Sequence, residues 1–441
     1  MKLTLLTLFL TALVVCFSPG CNGSRNTTET EGSGEVFHAI VDIRGTGDYT
    51  SLQAAIDAMP EDRTSPWRIF LKNGTYEELI RIPENKPFVH LIGQDRDKVI
   101  ISYTLHCGGP DGPEWEYSYN NPENPAYGTY GSVTILKSAD FYAENITFMN
   151  RYGVERQNGP QALALRSDND RHAFYNCKML SFQDTWRTST SGIADRHYVQ
   201  DCYIEGAVDY IYGAGDVLVE NSTLYNVRSG SVIVAPSHKE GTKWGYVFRN
   251  CTIDGNAGAA DGGQLLGRPW HNWPIAVYLN TTMNIDIAPE GWTDMGVIPK
   301  LFAEYDSRDK NGNPVDLSRR KSLYTATTHE GGHTGSSETI LTEEEATRYT
   351  YENMIGAGDW NPRKYMERLP APEKVKKNGI KLSWNETEEA IGYVILRGEQ
   401  VVGITSGTSF TDNEAQKEET YRYEIKAVNA HGGLGLPAVI R

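Results

Sequence analysis

CKMLSFQDTWRTSTSGIADRHYVQDCYIEGAVDYIYG, residues 177–213, carries two short patterns in one register. Cys177 and Cys202 are 25 residues apart, and so are Asp184 and Asp209, each Asp seven residues after its Cys. If about 25 residues make one coil of a solenoid, each pair is stacked on neighbouring coils, about 4.8 Å apart. Two carboxylates then stand side by side on one face. Outward from this stretch, a polar residue followed by Asn or Asp and a short strand recurs. It reads ENITF (144–148), YNCKM (175–179), QDCYI (200–204), ENSTL (220–224), RNCTI (249–253) and LNTTM (279–283). The Asn/Asp positions step by 31, 25, 20, 29 and 30 residues. That is too uneven for the hairpins of an antiparallel sandwich, and it suits coils whose turns vary while their strands stay aligned. The Asn side chains are expected to stack as an amide ladder at a bend, so the N-x-S/T matches among them are read as ladder and not as glycosylation sites. The expected fold is all-β, a right-handed parallel β-helix, with the hand taken from the preference of parallel crossovers.

Upstream, residues 38–60 read as a short strand, a Gly turn and then Leu52, Ala55, Ile56 and Met59 at helical spacing up to Pro60. One amphipathic helix there would cap the open end of the solenoid. Strand-like runs follow at RIFLKNGTY (68–76), FVHLIGQ (88–94) and VIISYTL (99–105). Two insertions interrupt the rhythm. Residues 106–131, rich in Gly, Pro and aromatics, read equally as a wall beside a sugar groove or as a structural loop, and residues 186–197 are expected to loop out at one edge of the cleft. Thr342 and Glu345 form a capping box before a short helix. From about Pro370 the pattern changes to alternating runs, GIKLSW (379–384), GYVILRG (392–398), TSFTD (408–412) and YRYEIKAVN (421–429). This part resembles a small fibronectin type III-like sandwich with Trp384 and Tyr423 in its core. The domains therefore read as a signal peptide (1–21), a linker (22–36), a β-helix (37–365) and the sandwich (366–441).

Met1-Lys2, an apolar run over residues 3–15 and small residues up to Cys21 describe a secretory signal, too short for a comfortable membrane span. Ser18-Pro19-Gly20-Cys21 resembles a bacterial lipoprotein processing site, with Ser18 where Leu is usual; ordinary cleavage nearby is the alternative. Export is expected either way, to an outer-membrane-anchored lipoprotein, periplasmic or at the cell surface, or else to a secreted protein. The net charge of −15 over 441 residues and the lack of a basic run argue against nucleic acid. A membrane is reached only through the lipid anchor, and a polyanionic partner would need local Arg or Lys. Besides Cys21, an exported chain keeps Cys107, Cys177, Cys202 and Cys251. The one-coil spacing nominates Cys177 and Cys202 for a disulfide, and a ladder of small buried thiols is the equal alternative. No CxxC and no His at zinc-ligand spacing is present, so neither metal nor cofactor is expected. A monomer is expected.

No G-x-S-x-G elbow is present, which disfavours a serine esterase of that type. The chain offers instead the stacked Asp pair. Two close carboxylates do not both ionise easily, so one tends to hold a proton, and their surroundings set their roles. Arg268, from a later coil, could pair with one of them or form a structural salt bridge. GTYEE (74–78), QALAL (161–165), QDTW (183–186), VDYIYG (208–213) and LGRPW (266–270) resemble, in order, the motifs of the pectin methylesterase family. GTGDYTSLQAAIDAMP (45–60), ENITF and PEGW (289–292) match it as well, over residues 37–362 in all. The resemblance implies a parallel β-helix that hydrolyses methyl esters of polygalacturonate (pectin) without a metal. Carried over by motif, it implies Asp209 as nucleophile with Arg268 as its partner. It further implies Asp184 as the acid that protonates methanol and then activates water, and Gln161 and Gln183 as oxyanion donors. Standing alone, the two Gln would read as ladder amides. Trp270 and Trp186 would offer flat faces to a sugar, and Thr129 and Tyr212 would line the cleft. Three departures stand out: Trp186 replaces Leu, and Tyr210 and Tyr212 replace Phe. The competing readings are a β-helix glycoside hydrolase or lyase on the same polymer and a non-catalytic carbohydrate-binding lipoprotein. A pair about 5 Å apart would suit a retaining glycosidase, but two amide donors and one Arg fit an ester oxyanion better.

Overall fold

The computed structural model describes residues 36–107, 128–189, 193–327, 332–356, 358–416 and 419–441. The expected signal peptide with Cys21, nearly all of the linker and most of the 106–131 insertion lie outside the described residues. From Ala39 to Asp309 the strands stack into three parallel sheets of ten, seven and nine strands. Successive coils pair in register. His172–Tyr175, for example, lies between Phe141–Glu144 and Arg196–Gln200. The β-helix expected from the uneven repeat is the architecture.

The recurring Asn/Asp residues are what bends each coil. Asn145, Asn176, Asp201, Asn221, Asn250 and Asn280 have φ between 47° and 57°, the left-handed region that Asn and Asp visit more readily than other non-glycine residues. Part of the amide ladder forms: Asn176 Nδ2 donates to Asn145 Oδ1 at 2.6 Å, and Asn280 Nδ2 to Asn250 Oδ1 at 3.3 Å. The next residue of each bend turns inward, and Cys177, Cys202 and Cys251 stand there as buried, free thiols. The Cys177 N–H donates to Sγ of Cys202 at 3.3 Å, and the Cys202 N–H to Oγ of Ser222 at 3.0 Å. Cys177 and Cys202 are thus rungs in a column of small inward side chains, not a disulfide. The column needs only a small group, which is why Ser222 shares it.

The predicted helix, Leu52–Asp57, buries Leu52, Ala55 and Ile56. Its first turn is held by Glu78 of the GTYEE motif, whose carboxylate accepts from Ser51 Oγ at 2.6 Å and from the N–H groups of Leu52 and Gln53 at 2.9 and 3.0 Å. The capping box at Thr342 and Glu345 forms, but that helix ends at Ala346 and a second one begins at Tyr351.

Seven antiparallel strands make up the C-terminal part, in two sheets. Lys376–Asn378, Lys381–Ser383 and Ser409–Thr411 form one; Gly392–Arg397, Gln400–Thr405, Tyr423–Val428 and Leu434–Ile440 form the other. Leu382, Trp384, Tyr393, Ile395 and Tyr423 fill the space between them. Alternate residues of the larger sheet, Val394, Leu396 and Val428, face the other way. They join a buried cluster with Phe70, Ile92 and Tyr142 on the ten-stranded sheet. Farther along that sheet Tyr198, Leu218 and Val247 belong to the same cluster as Tyr351, Met354 and Trp360. With the ten-stranded sheet covered in this way, the residues of chemical interest gather on the seven-stranded sheet.

Candidate active site

Both aspartates sit in strained backbone. Asp184 has φ 62° and Asp209 φ 48°. Asp209 also lies in a β-bulge: Val208 pairs with Val232 but Ile211 with Val234, so two residues oppose one. A bulge re-aims the side chain at that point, and here it turns Tyr210 into the core and Asp209 towards Arg268. The stacking expected from the 25-residue register is present. The Asp184 N–H donates to the Val208 carbonyl at 3.0 Å, and one coil earlier the Ala162 N–H donates to the Gln183 carbonyl at 3.1 Å. Gln161, then Gln183 with Asp184, then Asp209 therefore occupy three successive coils.

Arg268 follows the strand Leu265–Gly267, two strands from Asp209 across Val232–Pro236. It reaches back to make a two-pronged pair, Nε to Oδ1 at 2.8 Å and Nη2 to Oδ2 at 2.6 Å. A planar fork on both oxygens fixes the carboxylate plane. Asp184 has the opposite surroundings. Burial, and then the charge on Asp209, push its carboxyl well above the usual range, while a hydrogen bond from Tyr212 and the charges of Arg268 and Arg187 pull the other way. One acid is fixed in orientation by a guanidinium and its neighbour favours the proton, the split a nucleophile and a general acid require.

Gln161 and Gln183 are half-buried at this edge. A Cβ on Gly159 would stand 2.9 Å from Oε1 of Gln183, so that glycine leaves room for the amide. Leu163, Tyr212 and Ala235 form an apolar patch with Trp270 and Met295 packed on it. The Tyr212 and Trp270 rings meet edge to face with centroids 5.5 Å apart. Thr129, half-buried, accepts the Ser132 N–H at its carbonyl. Among the described residues no group of three or more His, Cys, Asp or Glu is arranged to hold a metal ion.

With this geometry in hand, comparison with known proteins is decisive: the model of the pectinesterase family matches residues 38–358. The chain belongs to the pectinesterase family. It is accordingly an enzyme, a carboxylic ester hydrolase. It is 34% identical over 254 residues to pectinesterase 31 of Arabidopsis thaliana, covering 57% of this chain and 75% of that one. To a pectinesterase of Petunia integrifolia it is 31% identical over 286 residues, 62% and 70% of the two chains. The solved pectin methylesterase from carrot shares its fold, with a TM-score of 0.59 at 24% identity over 74% of this chain and 95% of that one. The enzyme from Aspergillus niger gives 0.56 at 27% identity over 74% and 96%.

Two expectations are corrected in this pectinesterase. Trp186 offers no face to a sugar: it is fully buried, donates from Nε1 to Ser167 Oγ at 2.9 Å and meets Phe174 edge to face. It pairs with Leu165 and Ile211, which also face into the coil. Nor do residues 186–197 loop out as a whole, because Trp186–Arg187 is a strand, Thr188 and Ser189 are buried, and Arg196 already opens the next strand. The sequence reading also missed Met295 and Arg187. Met295 belongs to no repeat. Arg187 follows Trp186, and with Trp186 expected to face outward its neighbour on the strand reads as inward.

Proposed function

We propose that the protein removes methyl esters from polygalacturonate by covalent catalysis through Asp209. The observation that carries this reading is the pair of unequal aspartates, one clamped by Arg268 and the other stacked beside it with its proton affinity raised. The oriented Asp209 carboxylate attacks the ester carbonyl carbon, and negative charge moves to the carbonyl oxygen. The amides of Gln161 and Gln183, on the coils just before, donate to that oxygen. Collapse expels methoxide, which takes the proton of Asp184 and leaves as methanol, giving an acyl-aspartate anhydride. Asp184, now a carboxylate, takes a proton from water; the hydroxide adds to the acyl carbon and releases the uronate and Asp209. Trp270 and Tyr212 supply the apolar wall beside the reacting sugar, and Thr129 a polar edge of the cleft.

The C-terminal sandwich is read as fibronectin type III-like, on its division into three and four antiparallel strands. The chain is read as exported on the sequence of its first residues, either anchored through Cys21 or cleaved nearby and secreted, and as a monomer. Highly methylated pectin incubated with the purified protein should release methanol without loss of chain length, and Asp209→Ala should abolish release while the fold survives. Shortened or unsaturated products without methanol would overturn the esterase reading.

A further inference from the structure

Both faces of the four-stranded sheet of the sandwich are buried, so its free sheet face belongs to Lys376–Asn378, Lys381–Ser383 and Ser409–Thr411. Across these strands the middle row is Lys377, Leu382 and Phe410, and Leu382 and Phe410 pack into the core. The flanking rows, Lys376 with Ser383 and Ser409, and Asn378 with Lys381 and Thr411, therefore point outward. They hold two lysines, three hydroxyls and one amide, with neither a carboxylate nor an apolar side chain. All are exposed except the half-buried Ser383. Lys376 and Lys381 are diagonal neighbours, about 7 Å apart. Lys374, also exposed, lies just before the first strand, and among the described residues none of these three lysines has an ion-pair partner. Such a face stands out on a molecule whose net charge is −15. Lysine on an edge strand deters pairing between molecules, which would account for Lys376, but Lys381 stands on the central strand.

We propose that this outer face of the three-stranded sheet binds acidic polysaccharide, the polyuronate left after de-esterification, through Lys376, Lys381 and Lys374. The choice of polymer rests on the esterase reading above. Charge complementarity selects it: each methyl ester cleaved leaves a carboxylate, and the hydroxyls and amide between the lysines match the hydroxyls of a sugar. Two close, unpaired cations repel each other in the free protein, and a bound anion relieves that repulsion. An anionic membrane is the other polyanion within reach of an exported chain. Membrane-binding surfaces, however, carry about four to eight basic residues or an apolar face that inserts, and these rows have neither. The sandwich then holds polymer beside the β-helix, which raises the local concentration of esters at the cleft without any new contact there.

Affinity electrophoresis through gels containing fully de-esterified polygalacturonate tests this on the intact protein, on Lys376→Glu with Lys381→Glu, and on Lys310→Glu, an exposed lysine of the β-helix that controls for net charge. The double variant should bind about tenfold more weakly, about threefold for each exposed contact, with a flatter salt dependence; Lys310→Glu should match the parent. On partly methylated pectin the double variant should show a raised KM and an unchanged kcat. On a fully methylated trimer, which offers the face no carboxylate, both constants should equal the parent's. Polygalacturonate affinity equal to the parent's in the double variant, or an equal loss in Lys310→Glu, would overturn the proposal. So would loss of binding to phosphatidylserine vesicles with polygalacturonate binding intact, which would assign the face to a membrane. Absence of methanol from every substrate counts against the esterase reading instead, and the gel measurement still decides the face on its own.

Discussion

Asp209 receives one edge of a guanidinium on both its oxygens, whereas Asp184 stands beside a like charge with one phenol for relief, and that contrast makes testable chemistry. Replacing Arg268 by Lys keeps the charge and loses the fork. The Asp209 carboxylate would then swing, and a misplacement of this kind is worth about 10²-fold in rate, so kcat should drop by about that factor with KM changed much less. Tyr212 holds down the raised proton affinity of Asp184, so Tyr212→Phe should move the alkaline limb of the pH–rate profile to higher pH; an unmoved limb would show that Asp184 is not the acid. The same shift has a stability consequence. A carboxyl whose folded pKa is raised contributes stability that is fully present below its unfolded pKa and lost as pH rises through the folded pKa. Asp184→Asn should therefore be inactive yet melt higher than the parent, with a gap that opens as pH climbs from about 4 through the raised value. A gap that does not grow with pH would contradict the burial argument. The stacked aspartates were legible because equal spacing survives folding into coils. Trp186 was misread because a positive φ at Asp184 breaks strand alternation, so the facing of the residues after it cannot be counted from those before.

At the scale of the coil, the bend residues connect sequence to fold. Asn or Asp recurs because the chain must enter the left-handed region once per turn, where most side chains cost about 1–2 kcal/mol. Asn221 isolates that term, since it is exposed with φ 50°. Asn221→Ala should lower unfolding stability by about 1–2 kcal/mol in a denaturant titration, and Asn221→Gly by a few tenths of that, because glycine takes the same φ freely. Equal losses would place the value of Asn in its side-chain contacts instead. This bend chemistry is local, which is why the repeat could be read without a structure. The bulge at Asp209 could not be: it exists only as a mismatch between one coil and the next, Val208–Ile211 against Val232–Val234. The inward column that holds Cys177, Cys202 and Ser222 likewise shows its tolerance for any small group only when the coils are stacked.

For the whole molecule, the consequential fact is that the sandwich is built into the β-helix. Both faces of its larger sheet are buried, one on its own core and one on Phe70, Ile92 and Tyr142. Polar groups reinforce the joint. Glu144, fully buried, accepts from Tyr142 at 2.8 Å and from the Leu434 N–H at 3.4 Å, with Arg368 3.4 Å away. Arg68 reaches the carbonyl of Ala430, and Gln94 that of Glu399 at 2.6 Å. Alternation in GYVILRG predicted a strand with one wet face; no local pattern could say that a second domain would cover that face. Because burial is continuous from one unit to the other, the two should unfold as one. Calorimetry of the full chain should give a single transition. Val394→Asp, which places a carboxylate in the shared cluster, should cost about 3 kcal/mol or more and lower that transition as a whole. A chain ending at residue 369 should expose Ile92, Tyr142 and Glu144, and should aggregate or melt well below the parent. Two separate transitions, with the first unchanged in the shortened chain, would show instead that the sandwich is an independent appendage and that the cluster joining it to the β-helix contributes little to either.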